Sequence, residues 1–436
     1  MNIFYYTFGC KVNQYETENI KQALENRQFS TVSEITDADI AVINTCTVTS
    51  YSDLKCRKLL HKIKSTNSDC IIVLTGCFPQ AFSQEAELMT ECDIVTGSSN
   101  KSLIPDLIDE YLVHRQRIIS IQPHTKDEKF ETMLNNSIKT KTRAYMKIQD
   151  GCDQYCSYCI IPYARGHIRS KPLDIIEAEA ENLANSGHRE IVAVGINLWC
   201  YGKDLNDSIG LVDAVEAICR KAKNCRIRLG SIEPEMVTDE DIERLTKLHN
   251  FCPQFHLSLQ SGCDNTLKAM NRKYTCAEYE NLCVRLRNAF PDCSITTDIM
   301  VGFVGETDKD FEESMEFVKR IGFSRVHIFP YSIRKGTLAA KRSGHLPKHI
   351  KQKRASQMNF ICKELSDKFL QSMVGKTQEV LFEKEKSDDF HQGYTRNYTP
   401  VKVPRISDKI SLRRKVLNVV ITGVENDCCV GQIIEE

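Results

Sequence analysis

The amino-acid sequence predicts an α/β protein built from an N-terminal open parallel α/β sheet, a central partial (β/α)6 barrel and a small C-terminal antiparallel β-barrel. Two stretches alternate short apolar runs with amphipathic helical segments, which is the pattern of parallel sheets. The final stretch instead carries short β-like runs between Gly and Pro residues, which is typical of a small barrel. We therefore divide the chain into an N-terminal domain (1–117), a linker (118–143), a central domain (144–370) and a C-terminal domain (371–436).

The composition of the 436-residue chain indicates an intracellular protein, which we expect to be cytoplasmic. No run of about eighteen apolar residues occurs, and the first residues lack the basic and apolar segments of an export signal. The 20 cysteines therefore favour thiol or metal chemistry over disulfide bonds. Lysine plus arginine equals aspartate plus glutamate at 58 each, so the overall charge does not predict a nucleic-acid partner.

Cysteines follow three of the predicted strands in the N-terminal domain. These strands cover 3–8, 40–44, 71–75 and 94–96. Because the carboxyl ends of parallel strands meet at one edge of an open sheet, we expect Cys10, Cys46 and Cys77 to converge there. Each cysteine alone is more often a core residue, but the repeated strand-end position predicts a metal cluster. We call these three residues the N-terminal triad.

The first strand of the central domain runs directly into Cys152-Asp-Gln-Tyr-Cys156-Ser-Tyr-Cys159. Three thiols at this spacing can hold one face of a cubane iron–sulfur cluster, and without a fourth cysteine one iron is left open to another ligand. A zinc site is a weaker alternative, because His167 lies eight residues beyond the last cysteine. Three ordinary buried cysteines are the remaining alternative. We call Cys152, Cys156 and Cys159 the central triad.

The central domain contains six predicted βα units, two fewer than a closed eight-stranded barrel. The predicted strands are 144–150, 190–197, 226–232, 254–260, 294–302 and 325–332. Polar side chains at their carboxyl ends are our candidates for binding a cofactor, namely Asn197, Glu233, Gln260 and Asp298. The alternative for each is a cap of the helix or turn that follows. The sequence assigns no catalytic side chain.

The C-terminal domain combines short predicted strands with clustered basic side chains. The strands are 378–382, 398–403, 416–421 and 429–434. The basic residues that we predict to bind RNA are Arg396, Lys402, Arg405, Arg413, Arg414 and Lys415. Tyr394 and Tyr398 offer rings for stacking on unpaired bases. Taken alone, such a run of charge is more often a solvated face.

These motifs resemble those of the radical S-adenosylmethionine methylthiotransferases over the whole chain. The spacing of the central triad, with Tyr158 before its last cysteine, is similar to the cluster loop of radical S-adenosylmethionine enzymes. Gly-Cys-Lys-Val-Asn at 9–13, Asn-Thr-Cys at 44–46 and Thr-Gly-Cys at 75–77 resemble the family's N-terminal domain. The resemblance therefore supports both triads.

The C-terminal domain resembles the TRAM domain, which is an RNA-binding module. The resemblance lies chiefly in Gly-Tyr-Thr-Arg-Asn-Tyr at 393–398 and in the closing Val-Gly-Gln-Ile at 430–433. With this resemblance, the basic residues favour RNA binding over a solvated face.

The resemblance implies two [4Fe-4S] clusters, one held by each triad, together with S-adenosyl-L-methionine. It implies that the central cluster cleaves S-adenosylmethionine to a 5′-deoxyadenosyl radical, while the N-terminal cluster carries the sulfur of a methylthio group for an unactivated carbon of RNA. The implied partners are the tRNA anticodon stem-loop, an electron donor such as flavodoxin or ferredoxin, and a sulfur source. No membrane partner is expected.

The choice of substrate depends on fewer residues. Tyr15 and Glu16 resemble the MtaB branch, which acts on carbon 2 of N6-threonylcarbamoyladenosine at position 37 of tRNA. The branch that acts on N6-isopentenyladenosine usually carries Asp-Ser there, and the branch that modifies a ribosomal-protein aspartate tends toward Gly-Cys-Pro-Lys-Asn. We expect the threonylcarbamoyl substrate and keep the other two as alternatives. An alternative of another class is a non-enzymatic iron–sulfur RNA-binding protein.

Overall fold

The computed structural model of the chain has the predicted α/β fold, with two parallel strand arrangements followed by a closed barrel. The structure describes residues 1–133, 142–205, 209–383, 389–405 and 411–434. None of the helices in these ranges is both long enough and apolar enough to cross a membrane.

The N-terminal domain is a parallel sheet covered by helices on both faces. Its strands are β1 (Asn2–Thr7), β2 (Ser30–Val32), β3 (Ile40–Thr45), β4 (Ile71–Gly76), β5 (Ile94–Thr96) and β6 (Ile118–Ser120). Its helices are α1 (Lys11–Glu25), α2 (Ser50–Thr66), α3 (Cys77–Ala81), α4 (Ser83–Glu87) and α5 (Ile104–His114). The strand order is β2-β1-β3-β4-β5-β6. Strands β3 and β4 are buried along their whole length because α1 and α5 cover one face and α2 and α3 the other.

The sheet extends into the stretch that the sequence assigns to the linker. Strand β6 pairs with β5, so the sheet ends at Ser120 and not before residue 118. A strand of three residues is too short to show a periodicity, which is why the sequence does not reveal it. Residues 134–141 of the predicted linker lie outside the described ranges. The other domain boundaries stay predictions.

The central domain is an open barrel of parallel strands with helices outside. Its strands are β7 (Arg143–Lys147), β8 (Gln149–Asp150), β9 (Arg169–Ser170), β10 (Glu190–Val194), β11 (Arg226–Leu229), β12 (Ser231–Ile232), β13 (Gln254–Leu257), β14 (Ser294–Val301) and β15 (Arg325–Pro330). Its helices are α6 (Ile161–Arg165), α7 (Leu173–Asn185), α8 (Leu211–Lys221), α9 (Asp239–Thr246), α10 (Asp264–Ala269), α11 (Cys276–Ala289), α12 (Asp308–Ile321) and α13 (Lys348–Gln371).

The barrel strands form two sheets that meet at Gly230. One sheet has the order β7-β10-β11 and the other β12-β13-β14-β15, and a parallel bridge between Ile227 and Phe251 links them. Because β11 and β12 are one strand interrupted at Gly230, the described residues give the six strands that the sequence predicts. Strands β8 and β9 form a separate antiparallel pair.

Side chains of the barrel strands alternate between an outer face under the helices and an inner face, which is polar on β14 and apolar on β10. On β14, Ile295 and Ile299 pack into the core under the helices, whereas Thr296 and Asp298 point the other way, into the barrel. On β10, the inward residues Val192 and Val194 pack against Val12 of α1. Helix α1 of the N-terminal domain therefore covers part of the barrel interior.

The C-terminal domain is a closed five-stranded barrel within the described residues. Its strands are β16 (Thr377–Phe382), β17 (Phe390–Thr395), β18 (Pro400–Pro404), β19 (Val416–Glu425) and β20 (Cys428–Ile433). Their order is β16-β17-β18-β20-β19, and every pair is antiparallel except β18 with β20. The sequence predicts four of these strands and misses β17, whose buried positions include His391 and Gly393 in place of apolar side chains.

Hydrogen bonds attach the C-terminal barrel to the amino-terminal ends of the central-barrel strands, which we call the floor of the central barrel. Arg226 donates to Glu379 Oε1 at 2.7 Å and to the carbonyl oxygen of Tyr394 at 2.9 Å. Asn397 Nδ2 donates to the carbonyl oxygen of Asp292 at 2.8 Å. These contacts are partly buried and join the two barrels.

Glu190 is the buried anion at this floor. Its side chain is fully buried and accepts hydrogen bonds from Arg143 Nε at 2.5 Å and Arg228 Nη2 at 3.0 Å. Arg228 also lies over the ring of Tyr398, with the guanidinium carbon 4.4 Å from the ring centroid. Burial alone would raise the pKa of Glu190, but Arg228 and then Arg143 outweigh it and lower the pKa to about 2.

We expect Glu190→Gln to lower the free energy of unfolding by about 3–5 kcal/mol, because it leaves the buried Arg228 guanidinium without its carboxylate and leaves Arg143 with the partly exposed Glu383. Denaturant unfolding of the metal-free protein measures this change. Glu243→Gln is the control, since Glu243 is exposed and pairs only with the exposed Lys247 at 2.8 Å among the described contacts. A Glu190 variant as stable as the Glu243 variant contradicts the prediction.

The contacts of Glu190 with Arg228 and Arg143 also predict how the stability of the folded protein depends on pH. Because the pKa of Glu190 is lower in the folded protein than its ordinary value of 4.5, its stabilisation is complete above about pH 4.5 and is lost as the pH falls toward 2. The stability difference between wild type and Glu190→Gln should therefore be larger at pH 7 than at pH 3. A difference that grows on acidification contradicts this assignment.

Candidate functional site

The N-terminal triad lies at the carboxyl edge of the N-terminal sheet. Cys10 follows β1 and precedes α1, Cys46 follows β3, and Cys77 begins α3 directly after β4. Cys46 and Cys77 are buried, whereas Cys10 is exposed. Burial and then the neighbouring thiols of Cys77 and Cys10 raise the pKa of Cys46 to about 12.

Two residues bring the loops of this triad together. Gly9 has a φ of +98°, and a Cβ atom there would lie 2.5 Å from Cys46 Cβ and 2.8 Å from Cys46 Sγ, so only glycine fits. The buried Asn13 Nδ2 donates to the carbonyl oxygens of Phe8 and Thr45, both at 2.9 Å. Asn13 therefore joins the backbone that precedes Cys46 to the backbone that leads to Cys10.

The central triad lies on the loop between β8 and α6, and N–H groups point at its sulfurs. The backbone N–H of Ile161 donates to Cys159 Sγ at 3.4 Å, and Arg272 Nη1 donates to Cys156 Sγ at 3.3 Å. Burial raises the pKa of Cys152 to about 12. Donors to sulfur are the usual surroundings of thiolates that ligate iron.

Neighbouring segments of the barrel hold this loop in place. The N–H of Ser157 donates to the carbonyl oxygen of Met270 at 2.9 Å, and the carbonyl oxygen of Ser157 accepts from Ala339 N–H at 2.7 Å. The ring of Tyr158 meets Phe303 edge to face, with centroids 6.2 Å apart. The loop is therefore fixed on both sides.

Both triads fit iron–sulfur clusters better than single zinc ions. Two thiolates on one tetrahedral zinc lie about 3.8 Å apart, since the Zn–S bond is about 2.3 Å. Among the described residues, the side chains grouped closely enough to share one ion are Cys263, Asp310 and Glu313, and neither triad forms such a group. Sets of soft thiolates spread over a wider area suit a cluster of several irons.

Asn197 and Glu233, two of the predicted cofactor residues, lie beside the central triad. Asn197 Nδ2 is 4.0 Å from Cys152 Sγ, and its Oδ1 is buried without a hydrogen-bond partner among the described residues. Glu233 accepts a hydrogen bond from Arg272, and burial raises its pKa to about 7. An unpaired acceptor and a carboxylate next to the sulfurs fit a ligand with an ammonium group and ribose hydroxyls.

The other two predicted cofactor residues lie at the ends of β13 and β14. Gln260 has a left-handed backbone with φ of +71°, and its N–H donates to the carbonyl oxygen of Asp298 at 2.9 Å. The carboxylate of Asp298 accepts from His256 Nε2 at 3.1 Å and faces the barrel interior. The roles of all four residues stay predictions.

Sequence reasoning misses two arginines at the triads. Arg272 contacts Cys156 as described above, and Arg165 Nε donates to Cys77 Sγ at 3.1 Å. Neither arginine lies at the carboxyl end of a predicted strand. The expectation that site residues follow strands, which we call the strand-end rule, therefore does not find them. Neither of them lies in a motif for which the sequence analysis gives a resemblance.

Polar side chains line the open barrel interior. His256 Nδ1 lies 2.9 Å from Thr296 Oγ1, and the rings of His256 and His327 have centroids 6.0 Å apart. Burial opposes the ionisation of Asp298, but the hydrogen bond from His256 and the nearby charge of Lys11 help to lower its pKa. Because Lys11 directly follows Cys10, this polar interior adjoins the N-terminal triad.

The structure corrects the expected role of the C-terminal tyrosines. The rings of Tyr394 and Tyr398 stack on each other 4.4 Å apart, and Arg143 Nη1 donates to the Tyr398 hydroxyl at 2.9 Å. Both rings lie in the contact between the two barrels, because buried guanidinium groups there need aromatic faces and acceptors. They are therefore part of this interface and not a platform presented to RNA bases.

The six basic residues of the C-terminal domain are in different surroundings. Arg396 donates to the carbonyl oxygen of Phe251 at 2.8 Å, and Lys402 Nζ pairs with Glu425 Oε2 at 2.7 Å. Arg405, Arg413 and Arg414 are half-buried and Lys415 is exposed. Arg396 thus contributes to the barrel interface, and RNA binding by the set stays a prediction.

The sequence matches three family models in the order of the three domains. The uncharacterized protein family UPF0004 matches residues 2–97, the radical SAM superfamily matches residues 146–318, and the TRAM domain matches residues 371–410. The threonylcarbamoyladenosine tRNA methylthiotransferase MtaB of Thermotoga maritima is 39% identical over 86% of this chain and 85% of its own. This chain belongs to the radical S-adenosylmethionine methylthiotransferase family.

Other relatives of this family cover nearly the whole chain. MtaB of Bacillus subtilis is 34% identical over 95% of this chain and 93% of its own. A tRNA-2-methylthio-N(6)-dimethylallyladenosine synthase of Clostridium botulinum is 33% identical over 99% of this chain and 96% of its own. Membership of the methylthiotransferase family means that the protein is an enzyme, which rules out the non-enzymatic alternative.

A solved structure supports the fold alone. The radical S-adenosylmethionine methyltransferase TsrM from Kitasatospora setae has a TM-score of 0.57 and 12% identity, covering 78% of this chain and 77% of its own. The radical SAM superfamily uses S-adenosylmethionine and a [4Fe-4S] cluster, so the chain uses at least these two cofactors.

We expect Gly9→Ala to abolish iron binding by the N-terminal triad, because the added methyl group would displace Cys46 Sγ. Iron is counted after anaerobic reconstitution in a parent protein that carries alanine at all three central-triad positions. Gly344→Ala is the control, since Gly344 has a φ of +87° but open space around it. Equal iron in both variants contradicts the prediction.

Proposed function

We propose that this enzyme adds a methylthio group to carbon 2 of N6-threonylcarbamoyladenosine at position 37 of tRNA. The relatives from Thermotoga maritima and Bacillus subtilis carry the threonylcarbamoyladenosine activity in their names, and the first of them has the higher identity at 39%. The Clostridium botulinum relative, named for dimethylallyladenosine, stands at 33%. The difference favours the threonylcarbamoyl substrate.

The polar barrel interior is the observation that carries this choice. A threonylcarbamoyl substituent brings a carboxylate, a hydroxyl and a urea group, whereas an isopentenyl substituent is a hydrocarbon. His256, Asp298 and His327 offer donors and acceptors, and the neighbouring Lys11 offers a positive charge for the carboxylate. Isopentenyladenosine would instead suit an apolar pocket. A ribosomal-protein aspartate has no nucleobase that would need hydrogen-bond donors.

We further propose that the central triad holds the [4Fe-4S] cluster that binds S-adenosylmethionine and that the N-terminal triad holds an auxiliary [4Fe-4S] cluster. When bound, the cofactors supply the radical and the sulfur that side chains cannot supply. Asn197 Oδ1 would accept a hydrogen bond from S-adenosylmethionine, and Arg272 holds Cys156 beside Glu233. The N–H donors at the sulfurs stabilise their negative charge.

The wild-type protein should bind about twice the iron of a variant that lacks either triad, because the two sites are on separate loops. Iron is counted on anaerobically reconstituted wild type, on the protein with alanine at Cys10, Cys46 and Cys77, and on the protein with alanine at Cys152, Cys156 and Cys159. Mössbauer spectra identify the cluster type. Loss of all iron from either triple variant would contradict independent clusters, and zinc in place of iron would contradict both.

A strain that lacks this protein should lose 2-methylthio-N6-threonylcarbamoyladenosine from its tRNA, while N6-threonylcarbamoyladenosine accumulates. Nucleoside mass spectrometry of digested tRNA measures both. In vitro, the enzyme should modify an anticodon stem-loop with threonylcarbamoyladenosine and leave matched stem-loops with isopentenyladenosine or plain adenosine unchanged. Modification of the isopentenyladenosine stem-loop alone would transfer the assignment to that branch.

We further propose that flavodoxin or ferredoxin donates the electron, that a separate source supplies the sulfur and that the protein is cytoplasmic. We also propose that the C-terminal basic residues contribute to tRNA binding. The exposed Lys415 supports a role for the C-terminal barrel in contacting phosphates.

A further inference from the structure

One side chain of the central domain contacts a cysteine of the N-terminal triad. Arg165 ends α6, the short helix that follows the central triad, and it is completely buried. Its Nε–H donates to Cys77 Sγ at 3.1 Å, and Cys77 is buried as well. The segment that carries one triad therefore provides a hydrogen bond to the other.

The rest of the guanidinium group is held by three further side chains. Nη1 donates to Glu16 Oε1 at 2.5 Å and Asp150 Oδ2 at 3.3 Å, and Nη2 donates to Asn13 Oδ1 at 2.5 Å and Glu16 Oε2 at 3.1 Å. Because the guanidinium is planar and its donors diverge at fixed angles, these contacts fix the direction of the Nε–H bond. Asn13 is also the residue that joins the loops of the other two cysteines of the N-terminal triad.

Arg165 belongs to a buried cluster of charged side chains. Among the described residues its cations are Arg165, Arg169, Lys101 and Lys147, and the carboxylates paired with them are Glu16, Asp150 and Glu128, while the charge of Glu131 acts on both lysines. A buried charge without a partner is costly. Both Nη groups of Arg165 donate to oxygen atoms of Glu16, Asp150 and Asn13, whereas its Nε–H donates to Cys77 Sγ.

We propose that Arg165 is a positioning residue that stabilises the reduced form of the auxiliary cluster and ties that cluster to the loop of the central triad. This inference rests on the proposed auxiliary cluster. A cationic donor to a ligating sulfur favours the reduced cluster, which carries one more negative charge, and so raises its reduction potential. The same bond sets the position of Cys77 relative to α6 and thus to the central triad.

The experiment measures the auxiliary cluster alone. The parent is the full chain with alanine at Cys152, Cys156 and Cys159, and its cluster is titrated with dithionite under EPR detection. Arg165→Met removes both the positive charge and the hydrogen-bond donors. Arg165→Lys keeps the charge but loses the planar guanidinium and the fixed angles of its donors. We expect a more negative midpoint potential in Arg165→Met, a smaller shift in Arg165→Lys and altered EPR g-values in both.

Lys147→Met is the matched control, because Lys147 is a buried cation of the same cluster. It contacts Glu16 at 2.9 Å and Asp150 at 3.0 Å, and its described hydrogen bonds include none to a cysteine. Its midpoint should stay close to that of the parent. Iron content of each variant, measured in parallel, shows that the site is still loaded.

The outcomes separate this inference from the function on which it rests. A parent that binds no iron overturns the auxiliary cluster and the inference with it. A loaded parent whose midpoint potential does not change on the Arg165→Met substitution overturns the inference alone, as does a Lys147→Met shift equal to that of Arg165→Met. If Arg165→Met does not retain iron, Arg165→Lys decides, and an unchanged midpoint and EPR spectrum there overturn the inference.

Discussion

The ion pair between Glu16 and Arg165 is the contact on which the arrangement of the two triads depends. Glu16 lies on α1, directly after the loop of Cys10, and Arg165 lies just beyond the loop of Cys159. Both side chains are almost fully buried, so the pair is desolvated, and it persists because every partner has a complementary charge or donor. Two cysteine triads on different domains are thereby held at one interface.

The open barrel makes this arrangement useful. A closed barrel would fill its interior with its own side chains. The six strands here leave one side open, where Val12 of α1 packs against Val192 and Val194. The polar residues of β13, β14 and β15 remain accessible on the inner face. The interior that we propose for the substrate is therefore bordered by the central domain and by the beginning of α1.

Much of the fold and part of the site follow from the sequence. The alternation of strands and helices predicts both parallel arrangements, and the strand-end rule finds Cys10, Cys46 and Cys77 because parallel strands must share one edge. The rule cannot find Arg165 or Arg272, since a long side chain reaches its partner across a domain contact or a loop that no periodicity records. The predicted role of the two C-terminal tyrosines is wrong for the same reason, because composition shows that a ring is present but not which surface it covers.

The buried attachment of the C-terminal barrel has a geometric consequence. With Arg226, Asn397 and the stacked tyrosines holding it to the floor of the central barrel, it cannot swing as a tethered module would. RNA bound by this barrel, as we propose, would therefore lie at a fixed distance and angle from the opening of the central barrel. Nucleotide choice would then depend on that distance as well as on the chemistry of the base.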